Sequence, residues 1–491
     1  MVYAVGPQYS QRMACIPGNS GGMQPLAPNK RELSYTYIRG PFLPLKSHSP
    51  IILSYLNPAH LSFTMQLSIA FVFSSLLTLA VASPVERSVK TVRIPITKRG
   101  DFTAEDGTVD PQALRAHLTR RLINYQRGFA AYEQNTGKPH PLSSKELLSK
   151  RFAMPGLLRL QPVEDYMWRG SIHVGTPAQN FQVDFDTGSS DLFLPGQDCT
   201  TNCDGHSKYD PTKSSSAKDL HKTYSVSYGD GTEASGEQWT DIIIFAGYQV
   251  NGAVVGASSD YSGGLAPAQF GADGIMGMGF PEISRYNSES VVDKLLKPFA
   301  SGNRIFAFRL DNDNPELTVG RLDKSLYEGD ITYMPVTDEG FWQISMDAVS
   351  INGTTIAQNT PAIIDTGTTA VIGPTKDVAA FYAAIPGSKD ASEEIGAGYY
   401  TIPCSSSTAS NFTFGGRAFT MPGESLRGAP LGSDATRCAG NVVASDHQPF
   451  WIIGDRFLSN VFSVFDMGAK RVGFATLSDL SPDEDDDEAA N

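Results

Sequence analysis

One pattern occurs twice in this chain and limits what it can become. Val183–Gly196 reads VDFDTGSSDLFLPG, and Ala362–Pro374 reads AIIDTGTTAVIGP. In each, an apolar strand runs into Asp-Thr-Gly and then into two hydroxyl residues, Ser189 and Ser190 or Thr368 and Thr369. A second correspondence lies downstream: Asp273–Gly279 (DGIMGMG) and Phe450–Leu458 (FWIIGDRFL) each supply two bulky apolar residues and a glycine. A single Asp-Thr-Gly is a weak signal, but two in matching strand contexts with matching downstream elements mark an internal repeat. The chain is therefore expected to build two related halves, each giving one aspartate, Asp186 and Asp365, to a shared site.

The rest of the body agrees. After Arg151 come short β-rich runs punctuated by Gly, Asn-Gly and Asp-Gly, among them FQVDF, QVNGAVVGA, VSINGTTI and RVGFA. Helical signals are few; Ser290–Phe299 and Thr375–Ile385 are the clearest, each with Ser or Thr near its start. A mostly β body of about 340 residues is too large for one sandwich, so two β-lobes are expected, 152–336 and 337–477. The stretch SPDEDDDEAAN closes the chain, and 478–491 reads as a solvated acidic tail.

The N-terminal third has a different character. Residues 83–151 carry 13 basic and 7 acidic side chains, whereas 152–491 carry 21 and 44. A basic piece ahead of a strongly acidic body suggests two segments with different fates. ALRAHLTRRLINYQRGF sets Leu114, Leu118, Leu122 and Tyr125 on one helical face, with Arg115, Arg120, Arg121 and Arg127 mostly elsewhere. Such a helix could touch a membrane or nucleic acid, but docking onto its own acidic body as a pro-segment, 83–151, is the simpler expectation. Lys150-Arg151 ends that region as a dibasic pair suited to processing, although Lys98-Arg99 and Arg120-Arg121 are dibasic too.

Ahead of it, MQLSIAFVFSSLLTLAVASP from Met65 has a short apolar run and then Ala80-Val81-Ala82, a cleavage pattern. It reads as a secretory signal, 65–82, too short for a membrane span. Residues 1–64 should not precede a signal peptide; a start codon placed too early is the preferred explanation, an unrecognised targeting extension the other. Removing the leader removes Cys15 and leaves Cys199, Cys203, Cys404 and Cys438, an even set suited to an oxidising compartment. Four cysteines allow three connectivities, of which proximity favours Cys199–Cys203 and Cys404–Cys438. The sequons at Asn352 and Asn411 fit the same route.

From about Tyr166 to Leu477 the chain resembles the pepsin-like aspartic proteases, particularly the secreted fungal ones. Both Asp-Thr-Gly motifs, both apolar-apolar-Gly elements and SYGDGTEASG, at the place of the family's flap, carry the resemblance. It implies a mostly β, bilobal pepsin-like acid protease fold with the active-site cleft between the lobes. It implies that Asp186 and Asp365 share one proton and activate a water. Thr187 and Thr366 would tie the two loops together, Ser189 and Thr368 would bond the outer carboxylate oxygens, and Gly188 and Gly367 would allow the tight turn. Tyr228, Gly229 and Asp230 fall in the flap. Asp184 and Asp230 would border the S1 pocket and let it accept Lys beside large apolar groups. Phe341, before Trp342, stands where relatives carry an S2′ aromatic. Phe193 departs from the pattern, because the family usually has Trp there, so an indole N–H for the flap tyrosine is missing.

The resemblance further implies polypeptide substrates, the chain's own pro-segment as an intramolecular inhibitor, sensitivity to pepstatin-type inhibitors, and a secreted monomer, with vacuolar delivery the alternative. A catalytically weak pepsin-like binding protein is the competing function, but such relatives usually lose an Asp-Thr-Gly or the flap tyrosine. A glycosidase would also pair carboxylates, though without repeated strand-turn motifs. No zincin helix motif or phosphate loop is present and the body is acidic, so no metal, cofactor or nucleic acid is expected.

Overall fold

The computed structural model describes residues 92–99, 102–104, 106–143, 167–227, 233–261, 263–267, 270–311, 314–432, 434–446 and 448–479, all within the unit Pro84–Asn491. The leader 1–82, Lys150-Arg151, the flap residues Tyr228, Gly229 and Asp230, and 480–491 lie outside the described residues.

Each copy of the repeat builds the same strand arrangement. Gln179–Asp186 runs parallel to Gly274–Gly277, which is antiparallel to Leu192–Pro195; that strand lies parallel to Tyr248–Tyr261. In the second half Thr354–Ile364 runs parallel to Trp451–Ile453, antiparallel to Val371–Pro374, which lies parallel to Val442–Ser445. The two downstream elements read from the sequence are thus the inner strands against which both Asp-Thr-Gly loops are set. The first set belongs to an eight-stranded sheet and the second to a seven-stranded one, flanked by a four-stranded sheet. The result is a mostly β molecule of two related lobes.

A third, six-stranded sheet takes strands from both sides of residue 336. Ile305–Arg309 pairs with Phe462–Asp466, and Tyr327–Pro335 pairs with Arg471–Leu477. Phe306 stacks on Phe465 at 5.0 Å, and Trp342, fully buried, meets both rings edge-on while donating to the Met278 carbonyl at 3.0 Å. Burial of side chains this large contributes roughly 1.5–3 kcal/mol each, so the join between the lobes is a core in its own right.

The segment ahead of the body docks onto it at three places. Val92–Pro95 adds an antiparallel edge strand to the six-stranded sheet beside Glu316–Val319, and Thr97–Arg99 does so beside Met167–Arg169 in the eight-stranded sheet. Helix α1 (Pro111–Thr136) follows. It extends past the apolar run at both ends because the caps are explicit. Asp110 accepts from the N–H groups of Gln112 and Ala113, Pro111 fits the first turn, and Gly137 at φ 73° ends the helix in the left-handed region. Leu114, Leu122, Tyr125 and Phe129 are buried on the face turned to the body. Helix α2 (Val291–Leu296) starts at a Ser290 cap, and helix α3 (Thr375–Ala383) begins after Pro374 without a side-chain cap.

Of the three possible connectivities, the cysteines form Cys199–Cys203 and Cys404–Cys438. Asn352 is exposed in a tight turn at φ 47°, and Asn411 is half-buried, accepting from Thr420 Oγ1 at 2.8 Å. Among the described residues no helix is long and apolar enough to cross a membrane.

Candidate active site

Period-two alternation explains the first aspartate. Along Gln179–Asp186, Phe181, Val183 and Phe185 point into the lobe, which puts Asp184 and Asp186 together on the opposite face. Asp186 ends the strand, its carbonyl accepting from Met278 N–H at 2.8 Å. Asp365 occupies the equivalent place after Thr354–Ile364, with its N–H donated to the Ile453 carbonyl at 3.1 Å.

The two loops hold each other in a nearly symmetric exchange. Thr187 Oγ1 donates to the Ile364 carbonyl at 2.9 Å, and Thr366 Oγ1 donates to the Phe185 carbonyl at 2.6 Å. Each threonine hydroxyl also accepts the N–H of the other threonine, at 3.1 and 3.0 Å. Around the carboxylates the pattern repeats. Gly188 N–H donates to Asp186 Oδ1 and Gly367 N–H to Asp365 Oδ1, both at 2.9 Å; Ser189 Oγ donates to Asp186 Oδ2 and Thr368 Oγ1 to Asp365 Oδ2, both at 2.5 Å.

Gly188 and Gly367 are needed for clearance and not for a left-handed turn, since neither has positive φ. A Cβ on Gly188 would lie 2.6 Å from the Asp365 carboxyl, and one on Gly367 would lie 2.1 Å from Asp186 Oδ1. Each glycine faces the carboxylate of the opposite loop, and any side chain would drive the pair apart. The downstream glycines serve the loops similarly, a Cβ on Gly277 meeting Ser190 N at 2.4 Å and one on Gly454 meeting the Thr368 carbonyl at 2.1 Å.

Burial is the main electrostatic fact. Asp186 is raised above the ordinary carboxylate range by desolvation and then by the Asp365 charge, with Arg121 and the Ser189 hydroxyl pulling the other way. Two carboxylates so close share a proton rather than both ionise; the handling of one proton by a pair of aspartates in this family is a standard example of that effect. Asp184, fully buried, is pushed up to about 8 by desolvation, again opposed by Arg121.

Helix α1 covers this site. Tyr125 donates its hydroxyl to Asp365 Oδ2 at 2.7 Å. Arg121, one turn earlier on the same side of the helix, lies 3.8 Å from Asp186 Oδ2 and 4.0 Å from Asp184 Oδ2. Asn124 donates to the Gly188 carbonyl at 3.3 Å. His117 accepts the Thr369 N–H at 3.2 Å, and Tyr399 donates to the Leu114 carbonyl at 2.6 Å. Phe341, fully buried, packs under Gly128 and against the rings of Tyr125, Phe129 and His140.

The sequence brought out Tyr125 only as part of an apolar stripe and set Arg121 off that stripe. The structure turns Arg121 inward because three buried acids, Asp184, Asp186 and Asp365, need a counter-charge. The Arg121–Tyr125 spacing was the available signal. Phe193 sits edge-on to Tyr261 at 6.0 Å. Near it, hydroxyls stand where an indole N–H is lacking: Tyr224 meets Ser258 Oγ at 2.5 Å, Tyr286 donates to the Leu192 carbonyl at 3.3 Å, and the two tyrosine rings meet edge-on.

Comparison with known proteins agrees with this geometry. Residues 167–477 match the family model of the eukaryotic aspartyl proteases. An aspartic protease from Phaffia rhodozyma is 39% identical over 341 residues, 68% of this chain and 82% of that protein. Pepsin A from Bos taurus is 32% identical over 405 residues, 79% of this chain and all of that protein. Chymosin from Camelus dromedarius is 31% identical over 340 residues, 67% of this chain and 86% of that protein. The chain belongs to the eukaryotic aspartyl protease family, of the pepsin-like kind. It is an aspartic-type endopeptidase acting on polypeptides.

Proposed function

We infer that Asp186 and Asp365 are the catalytic pair of a secreted endopeptidase that works at acid pH and is made as a latent precursor. The observation that carries this is the symmetric cradle in which both carboxylates keep their inner oxygens on glycine N–H groups and their outer oxygens on hydroxyls. In the reaction the ionised aspartate takes a proton from a water held between the pair, while the protonated one donates to the scissile carbonyl. Water attacks the carbonyl carbon, the shared proton reaches the leaving nitrogen, and the C–N bond breaks. No acyl-enzyme forms. Thr187, Gly188, Thr366 and Gly367 set the distance between the loops; Ser189 and Thr368 fix carboxylate orientation.

Residues 83–151 act as the pro-segment. Tyr125 and Arg121 occupy the place of a substrate, which is the reason for latency. The leader 65–82, the two disulfides and the sequons at Asn352 and Asn411 support delivery outside the cell, and the flap carries Tyr228, Gly229 and Asp230. Hydrolysis of haemoglobin at acid pH, abolished by a pepstatin-type inhibitor, is the direct test; a folded, acid-treated chain without such activity would favour the binding-protein reading.

Large apolar residues on either side of the scissile bond suit walls built from Phe193, Ile275 and Phe341. Lys at P1 is the further expectation, and the position of Arg121 beside Asp184 shows how a cation is accommodated there. Because burial raises Asp184 to about 8, it is neutral at acid pH in this closed state, so Asp230 has to supply the charge. Asp230→Ser is therefore expected to lower the Lys-to-Phe ratio of kcat/KM about ten- to a hundredfold, the value of one or two charge-assisted hydrogen bonds. Equal losses on both substrates would show that Asp230 supports flap geometry and reads no charge.

A further inference from the structure

The wall of the cleft beside Asp186 holds a cation that belongs to the body and not to the pro-segment. Arg285 follows the turn Pro281–Ile283 and is fixed at its backbone, where its N–H donates to Asp191 Oδ2 at 2.8 Å and Ser284 Oγ donates to Asp191 Oδ1 at 2.6 Å. Its guanidinium reaches across the cleft and donates from Nη2 to Asn124 Oδ1 at 2.9 Å. The other end of the same side-chain amide, Asn124 Nδ2, donates to the Gly188 carbonyl at 3.3 Å. Asn124 is only 7% exposed, so this amide is read at both ends away from solvent. Beside it a cavity of about 40 Å³ remains, lined by Asp186, Ser189, Phe193, Ile275, Arg285 and Tyr286.

When α1 leaves, an acceptor on the dyad loop and a donor on the cleft wall stay behind at the spacing of one carboxamide. A leucine placed there leaves both polar groups without a partner, which is the stronger source of discrimination. A carboxylate satisfies the guanidinium but sets an oxygen against the Gly188 carbonyl. A carboxamide satisfies both. We propose that Arg285 is a specificity-determining residue of the endopeptidase, reading an Asn or Gln side chain of the polypeptide substrate together with the Gly188 carbonyl. The inference rests on Asp186 and Asp365 being the catalytic pair, because Gly188 is placed by that loop.

The test uses the full chain brought to acid pH and a set of quenched fluorescent peptides sharing one Phe-Phe scissile bond. Gln, Glu or Leu is placed in turn at each of the three positions on either side. The expected result is one position at which Gln exceeds Leu by about tenfold in kcat/KM, mainly through KM. Arg285→Met should bring that ratio close to one, and Arg285→Lys should restore part of it, since an ammonium supplies one donor without the planar fork. Equal rates for Gln and Leu at every position in the natural enzyme overturn the inference. A preference for Glu over Gln at that position overturns it too, since charge alone would then be read. If the natural enzyme cleaves none of the peptides, the catalytic reading itself fails, which separates the two.

Discussion

Asp186→Asn and Asp365→Asn will each lower kcat on haemoglobin at acid pH by at least about a thousandfold, because each removes one partner from a shared-proton pair. Neither substitution should unfold the chain. An amide at position 186 still accepts from Gly188 N–H and Ser189, and one at 365 still accepts from Gly367 N–H and Thr368, so the cradle keeps its bonds. Thermal unfolding of the latent chain provides that control. The two substitutions should also fail to add, since once one carboxylate is gone the other has no proton to share. A single variant retaining a tenth of natural activity would mean that one of the two aspartates is not part of the machinery.

Much of this site could be read before any coordinates. Repetition of strand, Asp-Thr-Gly and hydroxyl pair is a local pattern, and so is the later apolar-apolar-Gly element that locks each loop. What could not be read is everything that depends on two distant segments meeting. Arg285 is a single basic residue in a turn, and nothing around it marks a position opposite Asn124, 161 residues earlier. Arg121 looked like part of a solvated charged face because helical periodicity sorts residues by polarity, while its true partners lie on strands of the body. The glycines illustrate a subtler limit: the need for them was legible, but the cause, a carboxylate approaching from the opposite loop, was not.

Acid should open the latent form between about pH 6.5 and 4, with two histidines of the pro-segment as the main sensors. His140 lies among the rings of Phe129, Tyr132 and Phe341 with no charged group beside it, its Nδ1 accepting from Leu142 N–H, and burial lowers it to about 4. His117 is held well below its ordinary value by burial and then by Arg121 and Arg120, and its Nε2 accepts from Thr369 N–H, which a protonated ring could not do. A base whose value is depressed in the closed form binds protons better once released. Its stabilisation of the closed form is complete above 6.5 and is lost as pH falls toward 4, about 3 kcal/mol for His140.

The carboxylates give no such clear direction, because α1 lowers Asp184 and Asp186 through Arg121 while its bulk raises them. His117→Gln keeps an acceptor for Thr369, and His140→Phe keeps the aromatic packing, yet neither titrates. The double variant should need a pH about one to two units lower to reach the same rate of activation. An unchanged activation profile, read by release of the processed chain, would assign the response to the acids instead.

The six-stranded sheet has a consequence for how such a molecule can be taken apart. Ile305–Arg309 and Phe462–Asp466 are buried along their whole length, and each is the other's neighbour. A gene cut at residue 336 would produce two fragments, each carrying one copy of the repeat and each ending in an unpatched, wholly apolar strand edge. Such an edge pairs with whatever strand it meets first, including its own kind. Two halves descended from one ancestral unit are therefore no longer interchangeable with two separate chains. The strand exchange that welded them gave up the ancestral symmetric dimer, and freed the two sides of the cleft to diverge, so that one could acquire an arginine at position 285 without the other having to carry it as well.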